Sequence, residues 1–135
     1  MDGSGNAHVT GFFGATADFG SHILTSAGDR DVFVTKLDSS GVVHLVGETA
    51  GGISLVDPTQ GSFGGGTYDA FVAKLNPVSS GSADLTFSTF LGGSDIEYGR
   101  DIVVDSVGDF YVTGYTASSD YPTTSGAYDE VANGG

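Results

Sequence analysis

The feature that most constrains this fold is a short pattern that the chain repeats. It reads DGSGNAHVTGFF from Asp2, DSSGVVHLVGET from Asp38 and DSVGDFYVTGYT from Asp105. In each copy an Asp precedes a Gly by three positions, and a second Gly follows an apolar, alternating stretch of strand length. Glycine permits a tight turn, and alternation with a period of two predicts a half-buried strand. The sequence therefore predicts an array of β-repeats.

A second repeated element follows the first. DVFVTKL begins at Asp31 and DAFVAKL begins at Asp69, and both alternate in hydrophobicity. Because successive strand residues point to opposite faces, Phe71, Ala73 and Leu75 are expected on one face of a sheet. Two further strands, DLTFSTFL from Asp84 and RDIVVD from Arg100, occur once each.

These strands predict an all-β fold. A complete unit would hold four antiparallel strands, RDIVVD, DFYVTGYT, DAFVAKL and LTFSTFL, which is the blade of a β-propeller. We expect about seven strands, arranged as an incomplete propeller of two to three partial blades. A small β-sandwich is the alternative.

The spacing of the repeats sets the expected organisation of the single β-repeat region, residues 1–135. Residues 1–37 form a shortened first unit, residues 38–104 a complete unit and residues 105–135 the start of a third. In the first unit KLDSSG passes directly into VVHLVGE, so its third and fourth strands are missing. We interpret the chain as a segment of a longer array.

The second glycine of each repeat predicts a close contact. Gly47 and Gly114 lie just beyond the apolar centre of their strands. Glycine inside a strand indicates a bulge or the close approach of another backbone. We therefore expect a neighbouring sheet or a bulge at these positions.

Charge and composition exclude some partners. Seventeen acidic residues against four basic ones give a formal charge of −13, which repels phosphate backbones and argues against nucleic acid. No cysteine is present, so a disulfide framework is excluded. The N-terminus lacks a basic start with an apolar core, and no apolar run reaches the length of a membrane helix. We expect no membrane insertion and an export signal outside this chain.

The combined motifs resemble a known family. VDSVGDFYVTGYTASSDYPTTSGAY, together with GGTYDAFVAKLNP and LTFSTFLGGSDIEYG, resembles the SBBP-type β-propeller repeats of bacterial surface proteins. The resemblance covers nearly the whole chain, except for the shortened first unit and ADFGSHILTSAGD. It implies an extracellular or cell-envelope location and a scaffold or interaction role beside neighbouring repeats of the same parent chain. It implies no enzyme activity.

The histidines do not predict a catalytic site. His8 and His44 occupy the repeat position of Tyr111, which indicates packing or surface filling rather than a ligand. His22 is the third imidazole, and the common hydrolase, zinc and phosphate-binding motifs are missing. We predict no catalytic residues and regard a hydrolase or lyase as the least favoured class.

The acidic turn GGSDIEYG suggests calcium as a candidate cofactor. Calcium prefers several oxygen ligands, which Asp95, Glu97 and Asp101 would supply. The competing interpretation is that these carboxylates accept hydrogen bonds within their own turns. Both interpretations remain open at this point.

Three tyrosines are candidate ligand-binding residues. If exposed, Tyr98, Tyr121 or Tyr128 could stack on a pyranose ring. The sequence thus favours a non-enzymatic scaffold or interaction module. The alternative is a carbohydrate-binding propeller segment, with or without calcium.

Overall fold

The computed structural model describes residues 7–18, 23–25, 31–37, 41–77 and 83–131, and the described part contains nine strands. They are β1 (Ala7–Phe13), β2 (Thr16–Asp18), β3 (Ile23–Thr25), β4 (Asp31–Leu37), β5 (Val43–Thr49), β6 (Asp69–Pro77), β7 (Ala83–Leu91), β8 (Glu97–Val104) and β9 (Phe110–Thr116). The prediction of an all-β chain is confirmed. The described part of the chain contains no helix that could span a membrane.

The strands form one large sheet and two hairpins. β1, β4, β5, β6 and β7 make a five-stranded antiparallel sheet in that order, while β8 pairs with β9 and β2 with β3. The large sheet and the β8–β9 hairpin together hold the seven strands that the sequence predicts, and the short β2–β3 hairpin adds two. These sheets are open and form no closed ring within the described residues, as expected of an incomplete propeller.

One face of the large sheet carries the main apolar core. Leu45, Phe71 and Leu75 are buried on this face, as the alternation of β6 predicts. The segment from residue 50 to residue 68 covers it and contributes Ile53 and Phe63. Burying each large apolar side chain stabilises the fold by about 1.5–3 kcal/mol.

The opposite face of the large sheet packs on the β8–β9 hairpin. Val46 and Val72 from the large sheet and Ile102 from β8 form the buried centre of this second core. Phe110 and Val112 of β9 pack against them. Both faces of β5 and β6 are therefore covered, which explains why these strands are apolar on both sides.

Glycines allow the two sheets to approach closely. A Cβ atom at Gly99 of β8 would lie 2.5 Å from Val46 and 2.8 Å from the carbonyl oxygen of Gly47. No real Cβ atom tolerates that distance, so the backbones touch because both residues are glycine. This is the approach of a neighbouring sheet that the sequence predicts at Gly47.

The shortened first unit changes how the strands pair. β4 pairs with β1 on one side and directly with β5 on the other, so the first two repeat units share one sheet. A four-stranded sheet was expected for a complete unit, and the sheet has five strands because β4 lies where a strand of RDIVVD type would pair with β5. The sheets are also offset from the sequence units, since β8 falls within residues 38–104 yet pairs with β9.

The two sheets stack front to back. Val112 of β9 occupies the same repeat position as Leu45 of β5, yet Val112 packs against Val46, on the other face of β5. Repeat-equivalent faces therefore point in the same direction along the stack. Propeller blades pack in this way, whereas a sandwich related by a twofold axis would bring equivalent faces together.

Candidate ligand-binding site

The β8–β9 hairpin contains an irregularity that shapes its surface. The pairing runs from Gly99 opposite Gly114 directly to Asp101 opposite Thr113, which leaves Arg100 as the extra residue of a β-bulge. A bulge redirects the side chain that it carries. Here the Arg100 guanidinium lies over the Tyr98 ring, 4.6 Å from the ring centre.

Tyrosine rings line the surface beside this bulge. Tyr98 stacks on Tyr115 with ring centres 6.0 Å apart and planes inclined by 26°, and Tyr68 lies 6.2 Å from Tyr98. An open depression of about 450 Å³ is lined by Ile96, Tyr98, Arg100, Tyr115 and Ala117. We call this depression the tyrosine platform. Two aromatic rings and a guanidinium group make a surface that suits a flat, polar ligand.

A second depression, of about 200 Å³, lies between β9 and the large sheet. Its apolar wall comes from Ala70, Leu91 and Val112, and Gly114 also borders it. Glu97, Tyr98, Gly99, Tyr115, Thr116 and Tyr121 complete the lining. We call this space the edge cavity, and it shares Tyr98 and Tyr115 with the tyrosine platform.

Two of the three predicted tyrosines belong to these depressions. Tyr98 lines both, and Tyr121 lines the edge cavity, where burial and the nearby Glu97 carboxylate raise the pKa of the phenol. Tyr128 is fully exposed and lines neither. Tyr115 and Arg100, which also line the tyrosine platform, were not predicted as site residues. Their role depends on the bulge and on strand pairing, which a single sequence does not reveal.

The acidic turn is held by hydrogen bonds from its own backbone. The Glu97 carboxylate accepts the Gly93 N–H at 2.9 Å and the Thr116 hydroxyl at 2.6 Å. Asp120 accepts the Ser94 N–H at 2.9 Å, and the Ser118 hydroxyl accepts the Asp95 N–H at 2.8 Å. For Glu97 these contacts match the turn-forming interpretation.

The predicted calcium ligands do not form a cluster. Glu97 is buried and engaged in the turn, whereas Asp95 and Asp101 are exposed. One oxygen of Asp101 accepts the neighbouring Ile102 N–H at 2.8 Å. Among the described residues, no group of three or more His, Asp or Glu side chains is arranged to hold a metal ion. Their arrangement does not fit a calcium site, and calcium binding stays a prediction.

Two repeat-equivalent carboxylates are fully buried beside β5. Thr49 donates its hydroxyl to Asp31 at 3.1 Å and lies opposite Asp69 in the β5–β6 pairing. Burial raises the pKa of both carboxyls, although Thr49 and backbone N–H groups favour their charged forms. In each, one carboxylate oxygen has no hydrogen-bond partner. The sequence indicated that Asp begins these strands but gave no sign of its burial.

The Glu48 carboxylate lies near the tyrosine platform. Its pKa is raised by burial, while Arg100, whose guanidinium is 3.8 Å away, partly opposes that rise. Arg100 thus pairs with a carboxylate, as expected for a basic residue in so acidic a chain. Because Arg100 is largely exposed, this pair contributes at most about 1 kcal/mol.

The described histidines lie apart from both depressions. His44 is buried and meets the edge of Phe110 at 5.4 Å between ring centres, which is a packing contact. His8 lies exposed on β1. The third imidazole, His22, falls outside the described residues.

Comparison with known proteins identifies one segment. No curated protein and no solved structure matches the chain. A protein-family model does match residues 86–122, which include most of β7, all of β8 and β9 and the acidic turn. That model describes the SBBP beta-propeller repeat, so the resemblance to SBBP-type repeat proteins is confirmed over these residues.

Proposed function

We propose that this chain is a non-enzymatic scaffold or interaction module of an extracellular or cell-surface protein. Its β-repeats would hold further repeats of the same parent chain against their exposed sheet faces. The observation that supports this function is the front-to-back stacking of the large sheet on the β8–β9 hairpin. Contacts of this type can repeat along a series of units. Each unit binds its neighbour through one face and exposes the opposite face, to which the next unit can bind.

The outer face of the β8–β9 hairpin is the next surface in this series. Val103 is 52% exposed, Tyr111 57% and Tyr115 46%. The equivalent face of the large sheet is covered by the hairpin, which buries Val46 and Val72 completely or nearly so. The hairpin's outer face therefore has the position and the apolar content to receive another unit.

Hydroxyl-radical labelling of tyrosines tests this function. We expect Tyr111 to be labelled readily in the isolated chain, at a dilution at which the chain is monomeric, and to be protected in the full-length parent protein. Tyr128, which is fully exposed and lies beyond the hairpin, is the matched control and should be labelled in both. Equal labelling of Tyr111 in both proteins would contradict the proposal. Protease treatment of intact cells tests the expected surface location.

Carbohydrate binding is a second candidate, favoured by the tyrosine platform. Stacked Tyr98 and Tyr115 offer an aromatic surface, and Arg100 offers hydrogen-bond donors beside it. On a glycan array, Tyr98→Ala should weaken binding roughly tenfold or more. Tyr128→Ala is the matched control and should bind as the wild type does. Binding that survives Tyr98→Ala would exclude the platform as the sugar site.

The same array tests calcium and catalysis. If calcium assists binding, chelator should weaken it and Asp95→Asn should remove the calcium effect. Identical binding and identical melting curves with calcium and with chelator would leave the carboxylates with their turn-forming role alone. Substrate turnover that disappears in His44→Ala would overturn the non-enzymatic proposal.

A further inference from the structure

Among the described residues β9 is paired along one edge, whereas its repeat equivalent, β5, is paired along both. β5 lies between β4 and β6, and both neighbours carry the pattern Asp-x-Phe-Val-x-Lys-Leu. β9 pairs with β8, and no other strand among the described residues pairs with it. β8 runs beside β9 as β4 runs beside β5, so the missing neighbour of β9 is the counterpart of β6.

The glycines of the repeat show what that neighbour supplies. A Cβ atom at Gly47 would lie 2.9 Å from the Phe71 ring of β6, and one at Gly11 would lie 3.0 Å from the Phe33 ring of β4. In both pairs the glycine and the phenylalanine face each other in register. A phenylalanine of the neighbouring strand therefore covers each of these glycines.

Gly114 is the third glycine of the series, and no phenylalanine of the described residues is among the atoms nearest to it. The residue opposite is Gly99, and the atoms nearest to a Cβ at Gly114 all belong to the backbones of Tyr98 and Gly99. Gly114 is exposed, whereas Gly47 is buried. The absent neighbour contributes to this difference, together with Gly99 of β8, which faces Gly114 where Phe33 of β4 faces Gly47.

The edge cavity lies where the missing phenylalanine would be. Gly114 and Val112 border it from β9, and Ala70 and Leu91 border it from the large sheet. Its volume of about 200 Å³ holds several water molecules, or one aromatic side chain in their place. Ala70, Leu91 and Val112 give that side chain an apolar surface on both sides.

We infer that β9 receives an extended strand with the pattern Asp-x-Phe-Val-x-Lys-Leu from a further repeat unit, whose phenylalanine fills the edge cavity over Gly114. The register copies that between β5 and β6, in which Phe71 faces Gly47 and Asp69 faces Thr49. The incoming Asp would then lie opposite Thr116. Backbone hydrogen bonds would supply affinity, and the phenylalanine would supply specificity. This inference rests on the proposed function and names the segment that the module recognises.

A peptide titration tests the inference. The probe is a synthetic peptide with the sequence YDAFVAKLN, which copies residues 68–76, added to the full chain labelled with nitrogen-15. We expect saturable shifts of the backbone amide signals of Val112, Gly114 and Thr116. The same peptide with alanine in place of its phenylalanine should bind at least about tenfold more weakly, because the cavity stays unfilled.

A cavity-filling variant supplies the protein-side control. Leu91→Phe places extra volume in the edge cavity and should reduce peptide binding at least about tenfold. Leu37→Phe is the matched control, because Leu37 does not line the cavity, and it should bind like the wild type. Melting curves of both variants establish that they are folded. The alanine peptide keeps the test decisive if Leu91→Phe fails to fold.

Each outcome has a defined meaning. Absence of β9 shifts at millimolar peptide would overturn the inference, and equal binding of both peptides would overturn the role of the cavity. If a glycan displaced the peptide or shifted the same signals instead, the cavity would belong to a carbohydrate site and the inference would be wrong. Tyr111 labelling reports on the outer face rather than on the edge. The proposed function and this inference can therefore fail separately.

Discussion

Gly47 is a residue at which the packing within the large sheet is sensitive to substitution. A Cβ atom there would collide with the carbonyl oxygen of Val32 and lie 2.9 Å from the Phe71 ring, while Gly99 of the other sheet touches its backbone. We expect Gly47→Ala to lower the free energy of unfolding by more than about 1 kcal/mol, because both contacts must move. Chemical denaturation followed by circular dichroism measures the change.

The matched control for this substitution is Gly61→Ala. At Gly61 a Cβ would meet only Pro58, at an ordinary distance of 3.9 Å, so we expect little effect. Gly114→Val should also destabilise by more than about 1 kcal/mol, since a Cβ at Gly114 would collide with the Tyr98 carbonyl oxygen. Unchanged stability of Gly47→Ala and Gly114→Val would mean that the strands around these two glycines are not packed as described.

Asp69 makes stability depend on pH. Burial raises its pKa above the value of the unfolded chain, so its contribution is fully present below the unfolded pKa and is lost as the pH rises through the folded pKa. Asp31 acts in the same direction. We expect Asp69→Asn to weaken the loss of stability between about pH 4 and pH 7. Urea denaturation across that range measures the slope.

The control for the pH experiment is Asp57→Asn, a substitution of an exposed carboxylate. It should leave the slope close to that of the wild type. Other carboxylates also shape the profile: the pKa values of Asp105 and Asp120 are lowered by backbone hydrogen bonds, so their contribution is lost on acidification. The informative quantity is therefore the difference in slope between variant and wild type. If stability changed with pH to the same extent in Asp69→Asn and in the wild type, burial would not raise the pKa of Asp69.

Among the structural elements, the β8–β9 hairpin depends most on its connecting turn. One oxygen of Asp105 accepts the N–H groups of Val107, Gly108 and Asp109 at 2.9–3.0 Å. We expect Asp105→Ala to lower the melting temperature and to accelerate amide hydrogen exchange in β9, because three N–H groups lose their acceptor. In this variant, acidification should no longer destabilise the turn.

The control for the turn is Asp105→Asn, which keeps one carbonyl oxygen in place. It should fall between wild type and Asp105→Ala at neutral pH. Exchange in β6, which belongs to the large sheet, should change less than exchange in β9 in both variants. If amide exchange accelerated equally in β6 and β9, the turn would not stabilise the β8–β9 hairpin alone.

The sequence predicted strand faces well and strand partners less well. The alternation of β6 correctly placed Phe71, Ala73 and Leu75 on one face, because side-chain direction in a strand is a local property. That β4 would pair with both β1 and β5 was not foreseen. Pairing depends on which strand reaches an open edge, and this is settled by contacts between distant parts of the chain.

The candidate site was partly predicted for the same reason. Tyr98 and Tyr121 were identified and lie together at the edge cavity, whereas Tyr128 lies elsewhere. Arg100 was not identified as a site residue, because its position over Tyr98 results from a bulge that no local pattern shows. For Glu97 the sequence left two roles open, and the structure engages both of its oxygens in the acidic turn.

At the scale of the whole molecule, the front-to-back stacking allows further repeat units to be added to the stack. Such a contact joins two different surfaces, so it does not close unless the units return to their starting point in a ring. The exposed outer face of the β8–β9 hairpin is a consequence of this arrangement. Internal repetition therefore explains both the stability of the covered sheet and the exposure of the last hairpin.

The isolated chain should consequently self-associate. We expect light scattering to show an apparent mass that rises with protein concentration, because the exposed Val103 and Tyr111 form an apolar face that a further unit would cover in the proposed array. The charge of −13 opposes this association, so added salt should strengthen it by screening.

Val103→Asp should reduce association. Val107→Asp, the same change at the 80% exposed turn outside the strands, is the matched control and should not. A monodisperse monomer at every concentration would mean that the exposed face needs no partner, and it would favour a self-contained sandwich over a segment of a propeller.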